Sequence, residues 1–539
     1  MTFSDTSYKE TLFSITEQDF DLVIIGGGVT GAGILLDAQS RGLKAVLFEK
    51  NDFASGTSSR STKLIHGGLR YLKQKNVALV AEVGRERQIV AENAPHLVWK
   101  KRVFIPFYKG GSLGKLTAKA AMLLYEKLIR VENQDRHEMF KKSTVLERHP
   151  LINPDKLKGG VEYTEYATDD ARLTIEIIKK AVEIGGVALN YTSVTGFGYD
   201  DNGKIDRIHI LTRQGETSTV KTKGVISAAG PWADDILKLD REKMPQKLIL
   251  TKGVHIVLPK SKLDISTAAY FDTKDKRMVF AIPKDDIVYV GTTDTFFEKA
   301  SYEPGITKED VSYLIDAVNH VFTNSQLDTS DIISGWSGLR PLIKEEGKKP
   351  SEISRKDEMF VTESGLLTIA GGKLTGYRKM ADKVVSKYLE HLNRNIPCKS
   401  DQVILSGGEF SDVEVFVKEQ LRVAHSIGLN ENDAEVLIRR FGSNVNVLFD
   451  IFKEEGADES LPVHLGLSLK YCVRHEMVQT LSDFLIRRTG MLYFQISEVK
   501  RYYNSVAQEL SKELNWTEEE FKENVRIFEI DIRNATIFN

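Results

Sequence analysis

Two cysteines in 539 residues are the first scarcity. Cys398 and Cys472 are far apart in the chain and neither belongs to a C-x-x-C pair. That argues against a disulfide framework, an iron–sulfur cluster or a structural zinc site, and no metal is expected. It fits a reducing, cytoplasmic setting. Long apolar runs are also missing. No stretch of about 18 apolar residues occurs, so no spanning helix is predicted, and residues 1–18 lack the apolar core of a signal peptide. Neither sign of charge dominates, with 74 Lys plus Arg against 76 Asp plus Glu. No global field selects nucleic acid, and any charged partner must be met by a local cluster. No internal repeat or low-complexity tract is present. What remains is an ordinary globular composition, 41% hydrophobic, at a length that predicts two to four domains.

The most informative stretch is Asp21 to Lys50, DLVIIGGGVTGAGILLDAQSRGLKAVLFEK. A short β-branched run, Leu22 to Ile25, leads into Gly26, Gly27 and Gly28 and then Gly31, in G-x-G-x-x-G spacing. An Ala- and Leu-containing helix follows, then a second apolar run ending at Glu49. Strand, tight turn, helix, strand, acid is the order a dinucleotide-binding unit requires. The glycines allow the turn, the approach of a pyrophosphate and close helix–strand packing. The helix N-terminus offers N–H groups to phosphate, and Glu49 can accept from ribose hydroxyls. The motif alone does not separate FAD from NAD.

Hydroxyl-rich residues follow, Thr57 and Ser58 among them, and then a dense patch, Lys63-Leu-Ile-His66-Gly67-Gly68-Leu-Arg70-Tyr71. Ala78 to Asn93 reads as a charged helix and Val98 to Tyr108 as a strand. Leu116 to Arg130 reads as an apolar helix edged by cations. It is either a core helix or one lying in a membrane interface, with Met122, Leu123, Leu124 and Tyr125 in lipid and Lys115, Lys119, Lys127 and Arg130 near headgroups. A buried strand closes on Gly230. Thr251 to Leu258 alternates as a strand around His255, Ile332 to Leu342 as a strand reaching Arg340, and Arg355 sits in a polar turn. Gly365 to Ala370 runs into Gly371-Gly372-Lys373-Leu374-Thr375, a second strand, glycine turn and helix. From about residue 400 the pattern becomes helical, including Thr480 to Arg488. Two glycine-rich turns bracketing an antiparallel middle favour an extended flavin cofactor over NAD.

Taken together, IGGGVTGAGILLDA, SSRSTKLIHGGLRYL, DDARL, AAGPW, TKGVHIV, SGWSGLRPL and GGKLTGYRKMA resemble the FAD-dependent, respiratory glycerol-3-phosphate dehydrogenases over essentially the whole chain. The resemblance implies an α/β (α+β overall) fold. A Rossmann-like FAD-binding domain of the glycine-oxidase/D-amino-acid-oxidase type would carry an antiparallel-sheet substrate domain and a helical C-terminal domain. The expected layout is an extension at 1–18 and a flavoenzyme region at 19–395, followed by helices at 400–539. Within that region the FAD-binding parts are 19–94, 150–240 and 355–395, and the capping parts are 95–149 and 241–354. The implied cofactor is FAD, the substrate glycerol 3-phosphate and the acceptor a quinone, reached from the cytoplasmic face by peripheral attachment. The C-terminal helices are a candidate homodimer surface.

The resemblance places His66, Arg70, Tyr71, His255, Arg340, Arg355 and Lys373 on the substrate side. Arg70 and Arg355 would take the phosphate, because a guanidinium fork bonds two oxygens at once. Arg340 and Lys373 would steady developing negative charge. His255 or His66 is the candidate general base, since imidazole ordinarily titrates near neutrality. Gly67, Gly68, Gly230, Gly371, Gly372, Leu374 and Thr375 join Gly26, Gly27, Gly28, Gly31, Glu49, Thr57 and Ser58 on the cofactor. Two alternatives stand beside this reading. One is an oxidase passing electrons to O₂, disfavoured because no long polar insert interrupts the chain. The other is a flavin-binding protein without catalysis.

Overall fold

The computed structural model describes residues 3–4, 7–66, 77–111, 114–129, 131–240, 246–298, 302–344 and 357–538. The chain opens its nucleotide-binding half with β1 (Leu22–Ile25), α1 (Val29–Ser40) and β2 (Ala45–Phe48). Then come α2 (Val77–Asn93), β3 (Val98–Tyr108), α3 (Lys115–Ile129) and β4 (Leu157–Thr168). The next group is α4 (Asp170–Glu183), β5 (Val187–Leu189), β6 (Val225–Ser227), β7 (Leu248–Pro259), β8 (Ala268–Asp272), β9 (Met278–Lys284) and β10 (Ile287–Gly291). After them run β11 (Ser334–Ile343), β12 (Asp357–Val361), β13 (Leu366–Gly371) and α5 (Tyr377–His391). The C-terminal helices include α6 (Val413–Ser426), α7 (Glu431–Phe441) and α8 (Val463–Glu476).

Six strands form one sheet in the order β12-β13-β6-β1-β2-β5. All neighbours are parallel except β12 and β13. Every residue of β1 and β2 is buried, as expected of a sheet covered on both faces. From β1 the chain steps one way to β2 and β5, then back to β6 on the other side. That reversal is the point at which open α/β sheets bind ligands, beyond the carboxyl ends of their strands.

A second, ten-stranded sheet carries the run β7-β10-β9-β8-β3-β4, and β11 lies along the other side of β7. One face of it packs with Val311, Leu314 and Val318 of the helix Lys308–Val321. The opposite face, through Val103, Ile105, Tyr289 and Trp336, shares one core with Phe441, Leu465, Phe484 and Leu492 of the C-terminal helices. The helical region therefore sits on the larger sheet and does not close a core by itself.

One local expectation gains detail and another needs correction. Thr480 to Arg488 has helical periodicity, and within it Asp483–Arg488 winds as a π-helix. On α3, Met122 and Tyr125 are buried in protein, leaving only Leu123 and Leu124 of the four apolar residues exposed. The lipid-facing surface drawn from the sequence therefore cannot include Met122 or Tyr125. No helix among the described residues is long and apolar enough to cross a membrane.

Candidate active site

Gly26 leaves β1 at φ +109°, and a Cβ there would lie 2.7 Å from the Ala228 carbonyl oxygen just beyond β6. A Cβ on Gly31 would lie 1.9 Å from the Gly26 oxygen. These two positions admit no side chain, and that is what brings α1 down onto the end of β1. Glu49 steadies the turn: its Oε2 accepts from Gly27 N at 2.6 Å and its Oε1 from Asn51 N at 2.8 Å. Burial raises its pKa. Gly28 is the N-cap of α1 and brings no side chain to it. Ser58 Oγ accepts from Val29 N at 2.9 Å, and Thr57 Oγ1 donates to the Leu339 oxygen of β11 at 2.6 Å. A Cβ on Gly28 would meet only Ser58 Oγ, at 3.1 Å, so glycine here leaves room at the α1 N-terminus that fits the phosphates of a dinucleotide.

From Thr57 the chain runs past the second sheet to His66. There His66 N donates to Thr375 Oγ1 at 3.2 Å, joining the first glycine region to the second. The His66 ring stands edge-on to Phe280 at 6.3 Å. Gly371 and Gly372 have φ of +78° and +84°, and half-buried Lys373 leads from them into the turn Leu374–Gly376. Gly230, at φ +54°, opens the turn to Trp232, whose ring covers Gly56.

His255 lies in β7, opposite Gly291 of β10 and Trp336 of β11. Trp336 stacks on it with centroids 4.7 Å apart and planes 9° apart. A Cβ at Gly291 would fall 2.1 Å from the His255 ring, so glycine there makes the room. His255 Nε2 lies 3.0 Å from Thr62 Oγ1. Burial, followed by the charges of Arg340 and Lys63, holds the ring well below the usual histidine range. The sequence expectation of titration near neutrality is thus corrected for His255, whose surroundings favour the neutral ring. Four residues back along β7, Arg340 of β11 stands opposite Thr251. Its guanidinium lies against Gly253 and donates to Thr292 Oγ1 at 2.8 Å, to the Thr293 oxygen at 3.3 Å and to Asp294 Oδ1 at 3.3 Å.

The structure therefore gathers Gly26–Gly31, Glu49, Thr57 and Ser58 at the sheet's reversal point. It places His66 beside Thr375, and His255 beside Thr62 and near Arg340. Gly67, Gly68, Arg70, Tyr71 and Arg355 lie outside the described residues. Sequence reading missed three partners here. Lys63 is buried in an ion pair with Asp170, which also accepts from Ser61 Oγ at 2.6 Å. Trp336 Nε1 donates to the Ser61 oxygen at 3.2 Å while stacking on His255. The motifs SSRSTK and DDARL contain the first pair, but only the fold joins them.

A glycine-bound βαβ turn at a sheet reversal, facing a capping sheet that carries a neutral histidine and an arginine, defines an FAD-dependent oxidoreductase. The family model described as FAD dependent oxidoreductase matches residues 21–378, and that for the C-terminal domain of alpha-glycerophosphate oxidase matches residues 398–521. The aerobic glycerol-3-phosphate dehydrogenase of Staphylococcus haemolyticus is 47% identical over 536 residues, covering 97% of this chain and 96% of that one. That of Staphylococcus aureus strain MRSA252 is 45% identical over 515 residues, 94% of this chain and 92% of that one. The chain belongs to the FAD-dependent glycerol-3-phosphate dehydrogenase and oxidase family. The glycerol-3-phosphate dehydrogenase from Bacillus halodurans, solved in complex with FAD, superposes with a TM-score of 0.86 at 40% identity, covering 99% of this chain and 98% of that one. Glycine oxidase from Geobacillus kaustophilus, at 17% identity and a TM-score of 0.53 over 72% of this chain and 98% of its own, shares the fold.

Proposed function

We propose that this protein oxidises sn-glycerol 3-phosphate to dihydroxyacetone phosphate and delivers the electrons to a quinone, in glycerol catabolism at the cytoplasmic face of the membrane. The observation that carries the reading is a buried His255 on one strand of the capping sheet and, on the adjoining strand, an Arg340 near enough for its charge to act on that ring. FAD, when bound, supplies the acceptor for the hydride leaving the substrate carbinol carbon. The other work belongs to the chain. His255, with His66 as the second candidate, takes the hydroxyl proton. Arg340 and Lys373 steady the negative charge that builds as the proton leaves. Arg70 and Arg355 hold the phosphate by forked hydrogen bonds, with Tyr71 beside them. Gly26 to Gly31, Glu49, Thr57 and Ser58 hold the adenosine and pyrophosphate end. Gly371 to Thr375, with Gly67, Gly68 and Gly230, lie against the reactive end.

A quinone is favoured over O₂ because the chain aligns over nearly its whole length with relatives named dehydrogenases and has no long inserted segment in its middle. Anaerobic addition of glycerol 3-phosphate should bleach the flavin bands of the purified protein, and His255→Asn should slow that bleaching about 10²- to 10⁴-fold. An unchanged spectrum would reject both the dehydrogenase and the oxidase. Rapid peroxide on readmitting air, with no turnover on quinone, would select the oxidase.

A further inference from the structure

Between the helical C-terminal region and the rest of the molecule lies a cavity of about 1380 Å³, open to solvent and away from the glycine turns. One wall comes from the end of α2 and the starts and ends of β3 and β4, the other from α6, α7 and the segment around Phe494. Leu97, Val98, Phe416 and Val417 make its inner walls apolar and are themselves buried.

Its cations are paired with one exception. Arg87 pairs with Glu165 at 2.9 Å, Arg172 with Glu476 at 2.5 Å, and Lys100 with Asp135 at 2.6 Å. At the rim, Arg439 bridges Glu435 at 2.7 Å and Glu414 at 3.3 Å. Arg440, the next residue of α7, has only Ser468 Oγ, at 3.3 Å, and forms no ion pair with a described carboxylate. Asp169 also lines the cavity, but its Oδ1 is engaged as the N-cap of α4, accepting from Arg172 N at 3.1 Å. Burial disfavours the charged form of Arg440 and the charge of Arg172 adds to that, while the charges of Asp169 and Glu476 act the other way without an ion pair to it among the described residues. A half-buried guanidinium with no ion pair is an incomplete arrangement: burial of a charge is costly until it is paired.

We propose that this cavity binds a single-chain acidic amphiphile, its carboxylate or phosphate head on Arg440 and its hydrocarbon tail along the accessible lining residues Trp99 on one wall and Ile404 and Val436 on the other. The head completes the ion pair that Arg440 lacks, and the tail covers the two facing apolar walls. Bound there, the ligand joins the capping sheet to the C-terminal helices. This site is independent of the reaction proposed above, and neither stands or falls with the other.

Calorimetry on the FAD-loaded, full-length protein tests it with three probes of equal chain length, each below its micelle-forming concentration: dodecanoate, dodecyl phosphate and dodecanol. Both acids should bind one per chain, and more tightly than the alcohol. The stronger of the two indicates whether a fatty acid or a phosphate-headed lipid is the source. Arg440→Gln should weaken the acids about ten- to a hundredfold, the range for a hydrogen bond to a charged group, and leave dodecanol unchanged. Arg440→Lys should restore part of the loss. Val436→Trp, at an exposed position of the cavity wall, should block both acids while flavin reduction by glycerol 3-phosphate continues; it also carries the test if Arg440→Gln does not fold. Acids that bind no better than dodecanol, or that are indifferent to both substitutions, would overturn the assignment. So would a short-chain quinone that binds as tightly as the acids without needing Arg440, which would make the cavity an electron-acceptor site.

Discussion

At the scale of single residues, burial decides what the histidines do. His96 follows Pro95 just past α2 and is wedged against two glycines of the C-terminal region. A Cβ on Gly407 would lie 2.9 Å from its Nε2, and one on Gly442 would lie 3.0 Å from its ring. Neither ring nitrogen has a hydrogen-bond partner among the described residues. Burial, then the charges of Arg172 and Lys179, push its pKa down to about 3 from the usual 6.5. The unfolded chain therefore takes up a proton near pH 6.5 and the folded chain only near pH 3, so stability falls as pH drops through that window. Between pH 7 and 5 the loss from this one group is about 2 kcal/mol. Replacing it by His96→Asn should reduce the pH dependence of urea unfolding by about that amount over this range. Identical slopes in the two proteins would mean that His96 is not buried neutral. His255 is depressed in the same direction, so some dependence should remain in the variant. Strand alternation placed His255 in a strand, and the family resemblance made it a candidate base. Its protonation state was not legible in the sequence, because Trp336 and Gly291 create the burial and come from strands far along the chain.

Among the elements, the π-helix Asp483–Arg488 is the one that sequence periodicity conceals. In an α-helix adjacent side chains diverge by about 100°; here Arg487 and Arg488 both reach Asp52. Arg487 Nε lies 2.5 Å from Asp52 Oδ2, and Arg488 donates to both carboxylate oxygens at 2.8 and 3.0 Å. Asn190 adds a bond to Asp52 Oδ1 at 3.1 Å, and Arg487 also bridges Asp483, which accepts from the Tyr191 hydroxyl at 2.6 Å. Asp52 lies between Glu49 and Ser58, its carbonyl accepting from Ser55 N at 3.2 Å, so this pin ties the C-terminal helices to the cofactor-holding loop. Asp52→Asn removes the carboxylate that two buried guanidinium groups share, leaving Arg487 with Asp483 and Arg488 with Glu476 at 3.6 Å, and one-sided loss of a buried pair costs about 3–5 kcal/mol. We expect urea unfolding to show that loss, and fluorescence titration to show weaker FAD retention. A variant as stable as the parent and holding FAD as tightly would remove the pin from the account. The βαβ unit itself was readable in the sequence, since Leu22–Ile25, Gly26, Gly31 and Ala45–Phe48 signal by local pattern. β4 was not read as a strand: Gly159, Gly160, Glu162 and Thr164 break the apolar alternation of its twelve residues. The pin was not legible at all, because its halves lie at opposite ends of the chain and nothing local marks Asp52.

For the molecule as a whole, delivery of electrons to a membrane-dissolved quinone requires contact with a bilayer by a chain whose net charge is −2. Attachment must then come from an oriented patch, not from overall attraction. Helix α3 offers one in smaller form than the sequence suggested. Ala118, Met122, Tyr125 and Ile129 face the core, while Lys115, Lys119 and Lys127 are exposed around Leu123 and Leu124, which are 54% and 41% accessible. Two leucines alone bury too little area for stable attachment. Together with lysines near anionic headgroups, each contributing about 1 kcal/mol, they would suffice for the reversible contact that the proposed quinone reaction needs. Reversing Lys115, Lys119 and Lys127 to Glu should weaken binding to anionic vesicles by about two powers of ten. Raising salt on the unaltered protein should act in the same direction. Leu123→Ser with Leu124→Ser should weaken binding less, and without the salt dependence. Bleaching of the flavin by glycerol 3-phosphate should proceed normally in every variant, because α3 supplies no residue to the glycine turns or to the His255 and Arg340 strands. Vesicle binding that survives the lysine reversal would place the membrane contact on another face. Electron delivery to vesicle-dissolved quinone that survives it would show that this contact is not the route to the acceptor.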